Sequence, residues 1–217
     1  MKTIIGLFFL LSHFLSAQDS IKKVPWNDKY REDHLFLSIH HDLFFNNPKD
    51  AQNALSIGLT TGFLRDTPIS KNRKFAIAPG IAFAYKRHNT FILPAEISLD
   101  NNKANIDQYL VELPIELRWR NSSVENAQFF RVHLGTKFSY RLFGNVSFTD
   151  ADKVIQTEQN HLDFINAFSI QNYLAFGYST YNLIVGYTHT PFYRDSTFDN
   201  NKLEVYPLSL GFIFYIF

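Results

Sequence analysis

The sequence predicts an all-β fold, a transmembrane antiparallel up-and-down β-barrel of about eight strands, and three observations carry that prediction. Apolar and polar residues alternate strictly in one segment after another, the period of a strand with two unlike faces. Aromatic residues make up 17% of the 217 residues, yet mean hydropathy is only −0.15, so apolar and polar residues are interleaved rather than blocked. The final segment, Leu208 to Phe217, ends on an aromatic residue.

Composition narrows the chemistry. With 46% apolar residues the chain has enough to bury to fold, which excludes disorder. Cys is absent, so disulfides, thiolate nucleophiles, Cys-ligated zinc and iron–sulfur clusters are excluded, and the single Met is the initiator. The formal charge is +1, and no basic run tracks phosphates, so nucleic acid is not an expected partner.

Residues 1–17 read as a secretory signal peptide: Lys2, the apolar run Ile4 to Leu11, then Ser16-Ala17 before Gln18. The apolar run is too short to span a bilayer as a helix. Without Cys there is no lipidation site, and loss of Lys2 makes the mature chain formally neutral. Residues 18–33 are polar and aperiodic and read as a periplasmic lead-in; residues 34–217 read as the barrel domain.

The strands follow in order. Leu35, Leu37, Ile39, His41, Leu43 and Phe45 oppose Phe36, Ser38, His40 and Asp42. Leu55, Ile57, Leu59, Thr61 and Phe63 oppose Ser56, Gly58, Thr60 and Gly62. In the third, Phe75, Ile77, Pro79, Ile81, Phe83 and Tyr85 oppose Ala76 to Lys86. Asn89 to Ile97 reads either as a separate strand or as an extension of this hairpin. Tyr109 to Trp119 alternates with Glu112, Pro114, Glu116, Arg118 and Arg120, and Phe130 to Leu142 alternates with Arg131, His133, Gly135, Lys137, Ser139 and Arg141. Phe164, Phe168, Ile170, Leu174 and Phe176 mark a sixth segment, Tyr181 to Tyr187 a seventh and Leu208 to Phe217 an eighth.

Segments of about 10–14 residues exceed ordinary globular strands and suffice for a tilted membrane crossing. Connections read as long and polar at 46–53, 87–108, 144–161 and 191–204, and shorter at 65–74, 121–128 and 179–180. Long loops on one side and short turns on the other are the outer-membrane pattern, with both termini on the short-turn side.

Alternation alone does not say which face is inside, and a soluble lipocalin-like barrel alternates too. The kind of residue decides. Small residues on the second and third strands leave room in a narrow lumen, and the fourth and fifth supply long charged ones: Glu112, Glu116, Arg118, Arg120, Arg131, His133, Lys137 and Arg141. Antiparallel pairing across 121–128 brings Glu112 near Lys137 and Glu116 near His133, a charge network filling the interior. An eight-stranded barrel is filled by its own side chains, so general porin activity is not expected. In the last strand, Gly211, Phe214, Tyr215 and Phe217 resemble the aromatic-ended signal read by the barrel-insertion machinery; which of its faces meets lipid stays open.

Ser16-Ala17-Gln18, the central Tyr109-Leu110-Val111-Glu112-Leu113-Pro114 run and Phe130 to Tyr140 with Gly135 at mid-length resemble the PorT-like outer-membrane β-barrel family of Bacteroidota. Relative to that family's pattern, Val111 is inserted before Glu112. The resemblance implies an outer-membrane location, and participation of some members in type IX secretion implies protein partners in an envelope complex.

No catalytic residue, metal site or cofactor is expected. His40 and His41 point to opposite faces, whereas His40 and Asp42 share one and read as a lumen pair. His133 beside Glu116 has no aligned nucleophile, and the acidic run Asp195 to Asn201 lacks a calcium-loop pattern. The expected role is a structural or accessory barrel contacting outer-membrane lipid. A small-solute transporter or ligand binder, a membrane-embedded enzyme and a soluble binder stand as alternatives.

Overall fold

The computed structural model describes residues 33–46, 55–71, 74–90, 103–121, 130–150, 153–159, 162–194, 197–198 and 201–216. The signal-peptide reading, the lead-in up to residue 32, residues 122–128 of the fourth-to-fifth-strand turn and all of 91–102 lie outside these residues, as does Phe217; Asp33, read as the end of the lead-in, is the first residue of a strand. Twelve strands are described: β1 (Asp33–Phe45), β2 (Ile57–Arg65), β3 (Thr67–Pro68), β4 (Phe75–Thr90), β5 (Lys103–Arg120), β6 (Phe130–Asp150), β7 (Lys153–Gln159), β8 (Phe168–Tyr178), β9 (Tyr181–Thr188), β10 (Thr197–Phe198), β11 (Asn201–Lys202) and β12 (Tyr206–Ile216).

Eight of these close a ring of antiparallel neighbours, β1, β2, β4, β5, β6, β8, β9 and β12, with β12 returning to β1. The closing seam runs from Leu35 opposite Ile216 to Phe45 opposite Tyr206. Closure satisfies the backbone of every strand from its two neighbours and removes sheet edges, the condition for a sheet in lipid.

The two faces have opposite chemistry. Leu35, Leu37 and Ile39 on β1, Phe75 to Phe83 at alternate positions on β4, and Leu113, Ile115 and Leu117 on β5 project outward, 42–61% exposed for Ile77 to Phe83, for example. The intervening residues are buried inside, among them Asp42, Lys86, Glu112, Glu116, Arg118 and Lys137. This is the reverse of a water-soluble barrel and fits a protein whose outer solvent is hydrocarbon.

Aromatic belts bound the apolar band. At the end bearing the long connections, Tyr85, Tyr109 and Phe143 are successive neighbours, with ring centroids 5.2 and 4.6 Å apart, and Tyr187 stacks on Tyr206. At the end bearing the strand termini, Phe130 meets Tyr178 and Tyr181 meets Phe214. Phe75 to Tyr85 at about 3.3 Å per residue and about 40° of tilt gives a height of about 25 Å, the thickness of such a band. Just beyond the upper belt, outward-facing Arg87 forms a two-point ion pair with Asp107, at 2.7 and 2.9 Å, as befits the return to water.

Three features depart from the sequence reading. The stretches 87–108 and 144–161 are not simply loops: β4 continues to Thr90, β5 begins at Lys103, β6 runs to Asp150 and β7 pairs back on it. Above the belt both faces meet polar surroundings, so the outward residues Asn105, Asp107, Asn145 and Ser147 lose the hydrophobic marker while the strands go on. A β-bulge at Leu142 also breaks the phase of β6: Arg141 is opposite Leu110 and Phe143 opposite Tyr109, so Leu142 and Phe143 are both exposed. Finally, Phe164 does not share the lipid face of Phe168. It precedes β8 and is buried in the outer mouth, where even spacing carries no meaning because the segment is not a strand.

The last strand presents Leu210, Phe212 and Ile216 outward, with Ser209, Ile213 and Tyr215 inward. Between β8 and β9 the two-residue turn places Ser179 at φ 53°, and Asn182 Nδ2 donates to the carbonyls of Ser179 and Thr180.

Candidate functional site: a charged lumen beneath an apolar lid

The lumen is built from unequal walls. β2 and β4 contribute Gly58, Gly62, Ala76, Ala78, Ala82 and Ala84, and opposite them long side chains cross the interior. The fit is steric: a Cβ on Gly58 would stand 2.1 Å from the His40 ring, and one on Gly135 2.2 Å from the Tyr173 ring.

Four buried carboxylates organise the polar contents. Glu116 accepts from Arg118 Nε at 2.7 Å, Tyr173 OH at 2.7 Å and Tyr215 OH at 3.0 Å, with His133 Nδ1 at 3.4 Å. Glu112 takes Lys137 at 3.2 Å, Lys86 at 3.7 Å and the Ser139 hydroxyl at 3.1 Å. Asp66, in the connection after β2, faces Arg118 at 3.4 Å and Arg120 at 3.1 Å. Asp42 receives Ser209 Oγ at 2.5 Å, lies 3.0 Å from His88 Nε2 and 3.7 Å from His40 Nε2; Ser209 is in turn approached by Gln171 Nε2 at 2.8 Å. All four carboxylate residues are at most 2% exposed. Ions this far from water persist only where partners replace hydration, and each acid here has at least two.

Of the residues singled out from sequence, Glu112, Glu116, Arg118, Arg120, Arg131, His133 and Lys137 lie inside and buried. The pairs Glu112 with Lys137 and Glu116 with His133 meet through side chains, although the strands register Glu112 against Ser139 and Glu116 against Gly135. The contacts are diagonal, two residues off direct opposition. Arg141 is not in the network: it sits above it, half-buried, and its guanidinium donates to the carbonyls of Leu162 and Ile165. Tyr215, read as part of a terminal signal, points into the lumen, with Arg118 over its ring at 5.1 Å.

Sequence reasoning missed Asp66, Lys86, His88, Tyr173, Gln171 and Ser209. Lys86 and His88 were within reach, since both continue the inward set of β4. Asp66 follows a strand end and has no periodic signature.

Toward the long connections the contents change. Phe44, Ile106, Val146 and Phe148 from the strand tops meet Leu162, Phe164, Ile165, Phe192, Tyr193, Leu203 and Val205 from the connections, a continuous apolar cluster. Backbone bonds tie the lid together: Asn166 N to Phe192 O, Phe192 N to Val205 O and Arg194 N to Phe164 O. Under it lies a cleft of about 40 Å³ lined by Asp42, Lys86, His88, Gln108, Thr188 and Phe192 among others, room for a few water molecules. Among the described residues no group of three or more His, Cys, Asp or Glu is arranged to hold a metal.

Among solved structures, the chain is similar to Ail, the attachment invasion locus protein of Yersinia pestis, in complex with the heparin analogue sucrose octasulfate. Identity is 13%, with 86% of this chain and 100% of that chain covered and a TM-score of 0.37. It is also similar to Neisserial surface protein A, at 12% identity, 87% and 99% coverage and a TM-score of 0.36. No curated protein matches the chain. The family described as outer membrane protein beta-barrel domain matches residues 16–192, most of the sequence, and the chain belongs to that family.

Proposed function

We propose that this protein is a sealed outer-membrane barrel that acts as a structural or accessory component of an envelope complex. The single observation that carries the reading is the occupancy of its interior: interlocked ions fill the lumen and an apolar lid covers one mouth. A barrel so filled offers its lipid face, outer loops and inner turns as its working surfaces. Export by the N-terminal signal, insertion by machinery that reads the terminal strand, and contact with outer-membrane lipid complete the proposal. The resemblance to PorT-like barrels makes a type IX secretion assembly the first complex to examine.

The test is affinity isolation of the tagged full chain from its native outer membrane in mild detergent, alongside planar-bilayer recording of the pure protein. Stable protein partners with no reproducible conductance are expected. Reproducible single-channel steps would overturn the sealed-barrel reading. A second reading, a binder of small polar solutes, draws on the cleft that sets Asp42 and Lys86 on one wall system. It expects conductance steps altered by Lys86→Met.

A further inference from the structure

The cleft beneath the lid is lined by donors on one side and apolar groups on another. Lys86 and Gln108 stand directly opposite each other on β4 and β5, both facing inward, and His88 follows Lys86 on the same face. All three line the cleft. So do Leu110, Ile165 and Phe192, of which the last two belong to the lid.

The carboxylates nearby are already engaged. Asp42 is held by Ser209 and His88 and faces His40. Glu112 takes Lys137 at 3.2 Å and accepts from the Ser139 hydroxyl, which leaves Lys86 at 3.7 Å, beyond hydrogen-bond length. Two ammonium groups therefore share one carboxylate. Gln108 is 4% exposed, and its Nε2, with two N–H donors, has no hydrogen-bond partner among the described residues. A buried amide beside an ammonium that lacks a close acceptor is costly unless a further group supplies one.

Three conditions define that group. It is anionic, because Lys86 has no close counter-ion of its own. It carries two adjacent acceptors, because directly opposed residues such as Lys86 and Gln108 have Cβ atoms only about 4.5–5.5 Å apart. Its other end is short and aliphatic, since it meets Leu110, Ile165 and Phe192 in a cleft of about 40 Å³. Water supplies acceptors without the charge, and inorganic phosphate has the charge without the apolar end.

We propose that the cleft binds a short aliphatic monocarboxylate, with the carboxylate held by Lys86 and Gln108 and the carbon end against Phe192. The proposal rests on the second reading above, a cleft that binds small solutes, and gives that solute its chemistry. A molecule held under the lid needs no route through the lumen, so the barrel stays sealed.

The test uses the full chain purified from outer membranes in an uncharged detergent. Saturation transfer from the protein to the methyl protons of sodium propionate is followed at constant ionic strength. Propionamide keeps the shape without the charge, and propylammonium reverses the charge. Saturable propionate binding is expected, about tenfold tighter than propionamide. Lys86→Met should weaken it about tenfold. Gln108→Glu should abolish it, because its own carboxylate then occupies the place beside Lys86, with heat-modifiable gel migration retained. Equal affinity for propionate and propionamide would overturn the carboxylate assignment while keeping the cleft as a solute site. No saturable binding of any of the three probes would overturn both. Propionate binding unchanged in Gln108→Glu would put the ligand elsewhere and overturn the proposal, and this comparison stands even where Lys86→Met fails to fold.

Discussion

The lower lumen and the outer mouth are lined by the inward positions of the same strands, yet they are filled by opposite chemistry. Below, carboxylates and cations cross the bore; above, Phe44, Ile106, Phe148, Phe192 and Val205 pack with no ion among them. An ionic filling is directional, and it fails abruptly when one partner is lost because the others are left charged and dry. The apolar filling is non-directional and loses stability in proportion to the volume removed. The difference teaches that the ring below is one interdependent unit, whereas the lid is assembled from connections and can loosen by itself.

The sharpest way to break that contrast is at Glu116, which four side chains address. Glu116→Ala is expected to cost about 3–5 kcal/mol, because Arg118, His133 and the Tyr173 and Tyr215 hydroxyls lose their shared acceptor in a dry interior. Urea titration in detergent, read by heat-modifiable migration, measures it, and a loss below 1 kcal/mol would show that the network relaxes. Next comes the lid. Phe192→Ala should cost about 3 kcal/mol of local packing, seen as faster amide exchange at 162–166 and 203–205 while the midpoint of global unfolding moves less than for Glu116→Ala. Equal shifts of the global midpoint would show lid and network to be one cooperative unit.

The smallest effect belongs to the ion pair outside both regions. Asp107 is desolvated by its site but held below the ordinary carboxylate range by Arg87 and the Tyr85 hydroxyl. A lowered native pKa means that its contribution is present above the ordinary carboxylate range and is lost as pH falls from there through the lowered native value. Exposure of Arg87 limits the contribution, so Asp107→Asn should cost less than about 1 kcal/mol at neutral pH. The gap from the native protein should close as the solution is acidified; a constant gap would mean that the asparagine acts through packing instead.

The ring was legible wherever hydrocarbon enforces a contrast between faces. Leu113 to Trp119 against Glu112 to Arg120 needs no structure to interpret, because each outward position must be apolar and each inward one need not be. Above the belt that enforcement stops, so the strand extensions at Asn105 and Asn145 resemble loops in sequence. The bulge at Leu142 was hidden because an added residue changes the phase without changing the composition. Arg141 keeps the inward parity of His133 and Lys137, but parity says nothing about height, and height separates it from Glu112. The site was legible as a set of inward charges and illegible as a set of partners, since partners such as Asp66 and Ser209 arrive from segments distant in sequence.

The seam between β12 and β1 has a consequence for synthesis. Leu35 to Phe45 leave the ribosome well before their partners Ile216 to Tyr206, with the rest of the ring made in between. Until both are present, each strand of the seam offers a row of unpaired amides that hydrocarbon does not tolerate. No shorter, partly translated version of the ring is available as a resting point in the bilayer. The ring can therefore close only once β12 has joined β1, so its tolerance of lipid belongs to the full circuit and to no part of it.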